Sequence, residues 1–220
     1  MRKEYHKELK KLEDDVVELA RLAGKAVEAS VVALDERDLE RSKSIIEGDK
    51  VINAKRYEIE EKALLLIATQ QPMAGDLRTL AAILNVIIDI ERIGDYAGGN
   101  AKISLMIGEK GLLKPLVKIK KMSLLGVSML ERVMKCFEQR DAGEARALFA
   151  EDDAVDDLYD EVYKELLHMM IDNPKVIESA TYLMWASHNL ERVADRVTNI
   201  AERVVFMVTG KMEETGSSKY

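Results

Sequence analysis

Cysteine, proline and aromatic residues are scarce in this 220-residue chain, which has one cysteine, three prolines and 5% Phe, Trp and Tyr. The lone Cys136 excludes a disulfide framework and any Cys-rich zinc or iron-sulfur site, and it agrees with a reducing compartment. Few prolines and twelve glycines supply less turn chemistry than a β-sandwich uses. Nowhere do about 18 apolar residues run uninterrupted, as a membrane span requires. The first thirty residues scatter Lys, Glu and Asp through every stretch that could serve as a secretory h-region. A glycine-rich phosphate loop is missing, and neither Cys136 nor Trp185 has the neighbours of a nucleophilic triad. A formal charge of −7 argues against nucleic-acid binding, which needs a concentrated Lys/Arg surface. The chain is expected to be soluble and cytoplasmic, with no nucleic-acid partner and no direct membrane insertion.

What is present is charge and methionine: 33% charged residues and eleven Met, the composition of long amphipathic helices. From Tyr5 the apolar positions Leu9, Leu12, Val16, Leu19, Ala23 and Ala26 follow a 3-4-3-4 spacing that continues to Leu34 and predicts a first helix. Asp38 is a good N-cap for a second helix carrying Ile45, Ile52, Ile59, Ala63 and Leu66 to about Gln71. Pro72 suits the first turn of a third, which runs through Leu77, Leu80, Leu84 and Ile88 to about Ile107. Gly108, Gly111 and Pro115 then mark a linker.

The second half repeats the plan. Ile119, Met122, Gly126, Met129, Val133 and Cys136 form the seam of a fourth helix. Asp141-Ala142-Gly143-Glu144 reads as a capping box opening a fifth, with the stripe Leu148, Asp152, Val155, Tyr159, Val162 and Leu166. Asn173-Pro174 opens a sixth that reaches about Val208. Arg37-Asp38 matches Arg140-Asp141, and Asp49 matches Asp152, at an offset of 103 that drifts to 100 at Glu91/Glu191. The expected fold is all-α: two tandem antiparallel three-helix bundles related by a pseudo-twofold repeat, six helices of roughly 30 residues and so about 45 Å each. The expected units are 1–110 and 116–210, with a flexible tail over 211–220.

The chemistry lies in acids set on apolar stripes. Glu91 and Asp95 on the third helix, and Glu191 and Asp195 on the sixth, are spaced i, i+4 and so lie one above the other, close enough to share a cation. The second and fifth helices offer matching pairs, Asp49 with Asn53 and Asp152 with Asp156. Buried carboxylates must be paired, protonated or metal-bound. Acids four apart are common on wet helical faces, so the weight of the argument is their recurrence at equivalent places. That recurrence points to a metal or to a cationic partner. All-oxygen ligands suit hard cations such as Fe³⁺, Mn²⁺, Mg²⁺ or Ca²⁺. Arg92 and Arg192 point about 100° away from the pairs and are expected to serve them poorly. His188, one turn before Glu191, is a further ligand candidate, as are Asn199 and Glu202 beyond Asp195. Glu165-Leu166-Leu167-His168 is a single Glu-x-x-His, where di-iron bundles use two.

Taken together, Gln71-Pro72-Met73-Ala74-Gly75-Asp76-Leu77-Arg78, Ile90-Glu91-Arg92-Ile93-Gly94-Asp95 and the run Leu190-Glu191-Arg192-Val193-Ala194-Asp195 continuing to Glu202 resemble the PhoU family of phosphate-signalling proteins over nearly the whole chain. The resemblance implies a cytoplasmic, non-enzymatic negative regulator of phosphate uptake and of the phosphate-starvation response. Its expected place is between a phosphate ABC transporter, through the ATPase subunit, and a phosphate-sensing histidine kinase, possessing a peripheral attachment to the inner face of the membrane through those partners. It also implies homodimers and metal clusters, iron foremost and otherwise Mn, Mg, Zn or Ca. Carried over by position, Asp49, Glu91 and Asp95 form one cluster, and Asp152, Asp156, Glu191 and Asp195 the other. Two departures thin the first: Asn53 stands where the family often has Asp, and Gly98-Gly99 follow Asp95 where the second repeat has Asn199. The contrasting readings are a di-metal carboxylate protein with oxidase or iron-storage activity, and acidic docking points for a partner's Lys or Arg.

Overall fold

The computed structural model describes residues 2–109 and 111–213, with backbone alone for residue 2; most of the expected 211–220 tail falls outside them. The described residues hold seven α-helices: α1 (Arg2–Glu36), α2 (Leu39–Gln70), α3 (Gly75–Ile107), α4 (Val117–Gln139), α5 (Ala142–Ala147), α6 (Asp152–Asp172) and α7 (Ile177–Thr209). Single 3-10 turns, Leu148–Ala150 and Pro174–Val176, precede α6 and α7. Helices α1, α2 and α3 form one three-helix bundle and α4, α5/α6 and α7 the other. Among the described residues there is no strand, and no helix is long and apolar enough to cross a membrane.

The repeated Arg-Asp dipeptide explains the first turn of each bundle. Arg37 and Arg140 both adopt left-handed backbone, with φ 57° and 58°, which stops α1 and α4. The aspartate that follows then caps the next helix: Asp38 accepts from the Arg41 N–H at 2.9 Å, and Asp141 from those of Gly143 and Glu144 at 2.9 and 3.0 Å. An arginine in this region costs of order 1 kcal/mol, which the caps offset.

Four boundaries differ from expectation. Asn173 caps the 3-10 turn Pro174–Val176, its side chain accepting from the Lys175 N–H at 3.2 Å, and α7 starts only at Ile177. Pro72 lies outside α3, because Ala74 at φ 47°, ψ −111° breaks the helical path before Gly75. Glu144 does not complete a capping box, since the Asp141 N–H is bonded to the Cys136 carbonyl and the Glu144 carboxylate pairs with Arg132. The expected fifth helix is broken, its 3-10 turn ending one residue short of α6.

The bundles lie side by side around one continuous apolar core, with α3 against α7 and α1 against α4. Both contacts are antiparallel. On α3 and α7, Asn100 meets Asn189, Tyr96 meets Arg192 and Asp89 meets Arg196. On α1 and α4, Glu13 meets Arg140 and Asp35 meets Lys120. Cys136 is buried in this core.

Candidate metal centres

Each candidate centre is made by packing the second long helix of a bundle against the third. In the first bundle this brings Asp49 and Asn53 of α2 to Glu91 and Asp95 of α3. Glycine at position 94 allows the approach: a Cβ there would stand 3.0 and 3.2 Å from Ile52 side-chain carbons and 3.7 Å from Asp49 Oδ1. Asn53 Nδ2 donates to Asp49 Oδ2 at 2.9 Å, while Asp49 Oδ1 and Asn53 Oδ1 are buried without a hydrogen bond. Burial and the charge of Asp95 hold the Asp49 carboxyl above the usual carboxylate range, against the Asn53 hydrogen bond. Burial raises Glu91 too, with Asp95 adding and Arg92 opposing.

Arg92 serves this pair better than its position on the helical wheel suggests. Its guanidinium donates to Asp95 Oδ2 at 3.0 Å and approaches Glu91 Oε2 at 3.7 Å. The side chain is long enough to swing back over the face that its Cα points away from. The first centre thus carries an internal cation, and Glu91 and Asp95 remain partly open to water, at 23% and 36% side-chain exposure.

The second centre is more acidic and drier. Asp152 and Asp156 of α6 meet Glu191 and Asp195 of α7, with Asp156 4% and Glu191 5% exposed. Burial, then the charges of Asp156 and Asp195, push Asp152 up to about 7. Burial, then Asp195, Asp156 and Asp152, push Glu191 up to about 7 as well. Asp195 is raised by burial against the charges of Arg192, Arg196 and His188. Asp152 Oδ1 is buried with no hydrogen-bond partner. His188 Nδ1 lies 3.3 Å from Glu191 Oε2, and its ring packs on Tyr159 at 5.8 Å. Burial and Arg192 lower the His188 pKa, so a neutral ring stands at the rim of the cluster.

The donor chemistry fits a hard cation: carboxyls pushed up to about 7 by burial first and by one another second, with Asp49 Oδ1 and Asp152 Oδ1 buried and accepting no hydrogen bond. As the side chains stand, no three carboxylates or imidazoles among the described residues converge as ligands of a single ion. A cation would have to draw them inward by rotamer changes. Asp152, Asp156, Glu191 and Asp195, with His188 at the edge, are the residues to hold it in the second centre. Asp49, Glu91 and Asp95 are those of the first. Asn199 is turned to the other bundle, its Nδ2 3.4 Å from Asp89 Oδ1, and half-buried Glu202 lies two turns beyond Asp195. The Glu-x-x-His of α6 is engaged elsewhere, with Glu165 paired to Lys114 and Lys118 and His168 Nδ1 2.7 Å from the Lys164 carbonyl.

A polar seam between α3 and α7 was not foreseen from the sequence. Arg196 reaches Asp89 Oδ1 at 3.3 Å, Arg192 Nε donates to Tyr96 Oη at 2.8 Å, and Asn189 donates to Asn100 at 2.9 Å. Asp89 stands in the run Ile87-Ile88-Asp89-Ile90, and the cost of an unpaired charge in such a run is the signal that points to it.

Two three-helix bundles with one paired-carboxylate cluster each define a tandem-repeat protein that presents acid between neighbouring helices. The PhoU domain model matches the chain twice, over residues 16–103 and 119–204. A phosphate-specific transport system accessory protein PhoU homologue of Rhizobium meliloti is 32% identical over 207 residues, covering 94% of this chain and 87% of its own length. A homologue of the same description from Aquifex aeolicus is 32% identical, over 94% and 93% of the two chains. The crystal structure of the phosphate transport system regulatory protein PhoU from Streptococcus pneumoniae superposes with a TM-score of 0.89 at 30% identity, covering 96% of this chain and 99% of that one. PhoU from Pseudomonas aeruginosa does so with the same score and identity over 94% and 100%. The chain belongs to the PhoU family.

Proposed function

We propose that this chain is a non-enzymatic, cation-binding regulator of phosphate uptake and of the phosphate-starvation response. It acts in the cytoplasm as a homodimer, between the ATPase subunit of a phosphate ABC transporter and a phosphate-sensing histidine kinase. Support for the phosphate role comes from family membership across both repeats and from relatives described as accessory proteins of the phosphate-specific transport system. The observation that carries the cation reading is the cluster of Asp152, Asp156, Glu191 and Asp195, in which burial, and then the charges of the neighbouring acids, push Asp152 and Glu191 up to about 7. A cation neutralises that repulsion, iron and manganese being the hard ions of first choice.

Deleting the gene is expected to switch on the phosphate-starvation response in phosphate-replete medium, read as alkaline phosphatase activity. An unchanged response overturns the regulatory reading. Elemental analysis of protein purified without chelator tests the cation: the second centre should lose more metal in Glu191→Ala than the first does in Glu91→Ala, and equal losses contradict the asymmetry. Turnover of Fe²⁺ with oxygen that disappears in Glu191→Ala would move the assignment to an oxidase.

A further inference from the structure

The two halves differ at one place that the repeat makes conspicuous. In the first half α2 runs unbroken through Gly48 and Asp49. In the second, the equivalent helix stops at Ala147, makes a 3-10 turn over Leu148–Ala150, and restarts at Asp152, itself a candidate ligand. Asp152 thus sits in the first turn of α6, where the backbone holding it is less constrained than that of a residue inside a long helix.

One side chain spans this break. Arg132 of α4 donates Nη1 to both carboxylate oxygens of Glu151 at 2.6 Å, and its Nη2 donates to Glu144 of α5. Glu151 is the residue between the 3-10 turn and Asp152, so a single guanidinium ties α5, the start of α6 and α4 together. The two hydrogen-bonded carboxylates raise the Arg132 pKa, so the charge of the clamp is permanent. At the offset of 103 the first half has Ala29, Arg41 and Gly48 where the second has Arg132, Glu144 and Glu151. The clamp and the break occur together in one half, and neither occurs in the other.

We infer that Arg132 is a positioning residue for the second centre: through Glu151 it fixes the first turn of α6 and thereby sets Asp152 against Glu191 and Asp195 for a cation. This rests on the cation reading above. Two physical effects of removing Arg132 differ in direction, which makes the inference testable. By Coulomb interaction alone, losing the Arg132 charge strengthens cation binding or leaves it unchanged. Loss of the clamp frees Asp152 and weakens binding; because the clamp acts one residue away from the ligand, the loss should fall at the low end of the roughly 10–100-fold that groups hydrogen-bonded to metal ligands contribute.

The experiment is Mn²⁺ titration by calorimetry of the full chain, wild type against Arg132→Gln, Glu151→Gln and the double variant, with hydrogen exchange over residues 142–156 with and without Mn²⁺. Each single variant should weaken the tighter Mn²⁺ site about tenfold, and the double variant should lose no more than either alone. Mn²⁺ should protect 148–156 in the wild type and fail to do so in the variants. If Arg132→Gln fails to fold, Glu151→Gln, which keeps Arg132 paired with Glu144, is read by hydrogen exchange over 148–156, because its lost negative charge weakens cation binding by itself. Unchanged or tighter Mn²⁺ binding in the variants overturns the clamp while leaving the cation reading intact. Absence of Mn²⁺ binding in the wild type overturns both.

Discussion

At position 94 the chain has glycine where the second repeat has Ala194, and the added methyl group of Gly94→Ala would meet Ile52 at 3.0 and 3.2 Å. Helix propensity favours the alanine by roughly 1 kcal/mol, while overpacking of this kind costs about 1–3 kcal/mol. Gly94→Ala is therefore expected to lower the thermal midpoint and to displace Asp49 from Glu91 and Asp95; a raised midpoint would show that Ile52 yields freely. Glu191 gives a second prediction, whose sign follows from its folded pKa of about 7 against an ordinary 4.5. The folded state then holds a proton that the unfolded state has lost between those values, so this group's contribution falls as pH rises through that window and is smallest above 7. Metal-free protein should gain stability from Glu191→Gln at pH 8 and little at pH 5, read as thermal midpoints. A destabilised variant at pH 8 would mean the carboxylate has a partner that compensates its burial. The i, i+4 acids were legible in the sequence because their spacing is local. Arg92 on Asp95, and Asp89 with Arg196, were not: the first depends on how a long side chain bends, the second on the register between two bundles, which no local pattern encodes.

Helix ends were legible wherever a cap announces them. Asp38 and Asp141 follow left-handed arginines at equivalent places and accept backbone N–H groups as the sequence leads one to expect. Asp141→Ala should cost about 1 kcal/mol or somewhat more, since its carboxylate serves two donors. Urea unfolding at fixed slope measures this, and a loss below about 0.3 kcal/mol would show that the Asp141 N–H bond to Cys136 suffices to stop α4. The interruption at Leu148–Ala150 was hidden because the apolar spacing Leu148, Asp152, Val155 keeps its 4-3 rhythm across it. A 3-10 turn advances a chain differently from an α turn without disturbing that count over so few residues. Pro72 misled in the opposite direction, since it is compatible with a helix start that the positive φ of Ala74 postpones to Gly75.

For the whole molecule, what matters is that two repeats share one core. With α3 packed on α7 and α1 on α4, neither bundle can expose its inner face without opening the other, so the metal-free chain should unfold in one cooperative transition. A cation that binds the folded state alone raises that midpoint for the entire chain by mass action. Because its ligands must lose their protons to bind, and Asp152 and Glu191 hold theirs to about 7, the rise should be larger at pH 8 than at pH 6. Calorimetric scans with Mn²⁺ at the two pH values test both steps. The expected record is one peak that moves up more at pH 8, with most of the shift lost in Glu191→Gln/Asp195→Asn because those residues belong to the fuller centre. Two peaks, with one moving, would show that the seam of Asp89, Arg196, Tyr96 and Arg192 does not bind the bundles into a single unit. One peak that moves equally at both pH values would show that the carboxyls of the second centre do not take up the ion.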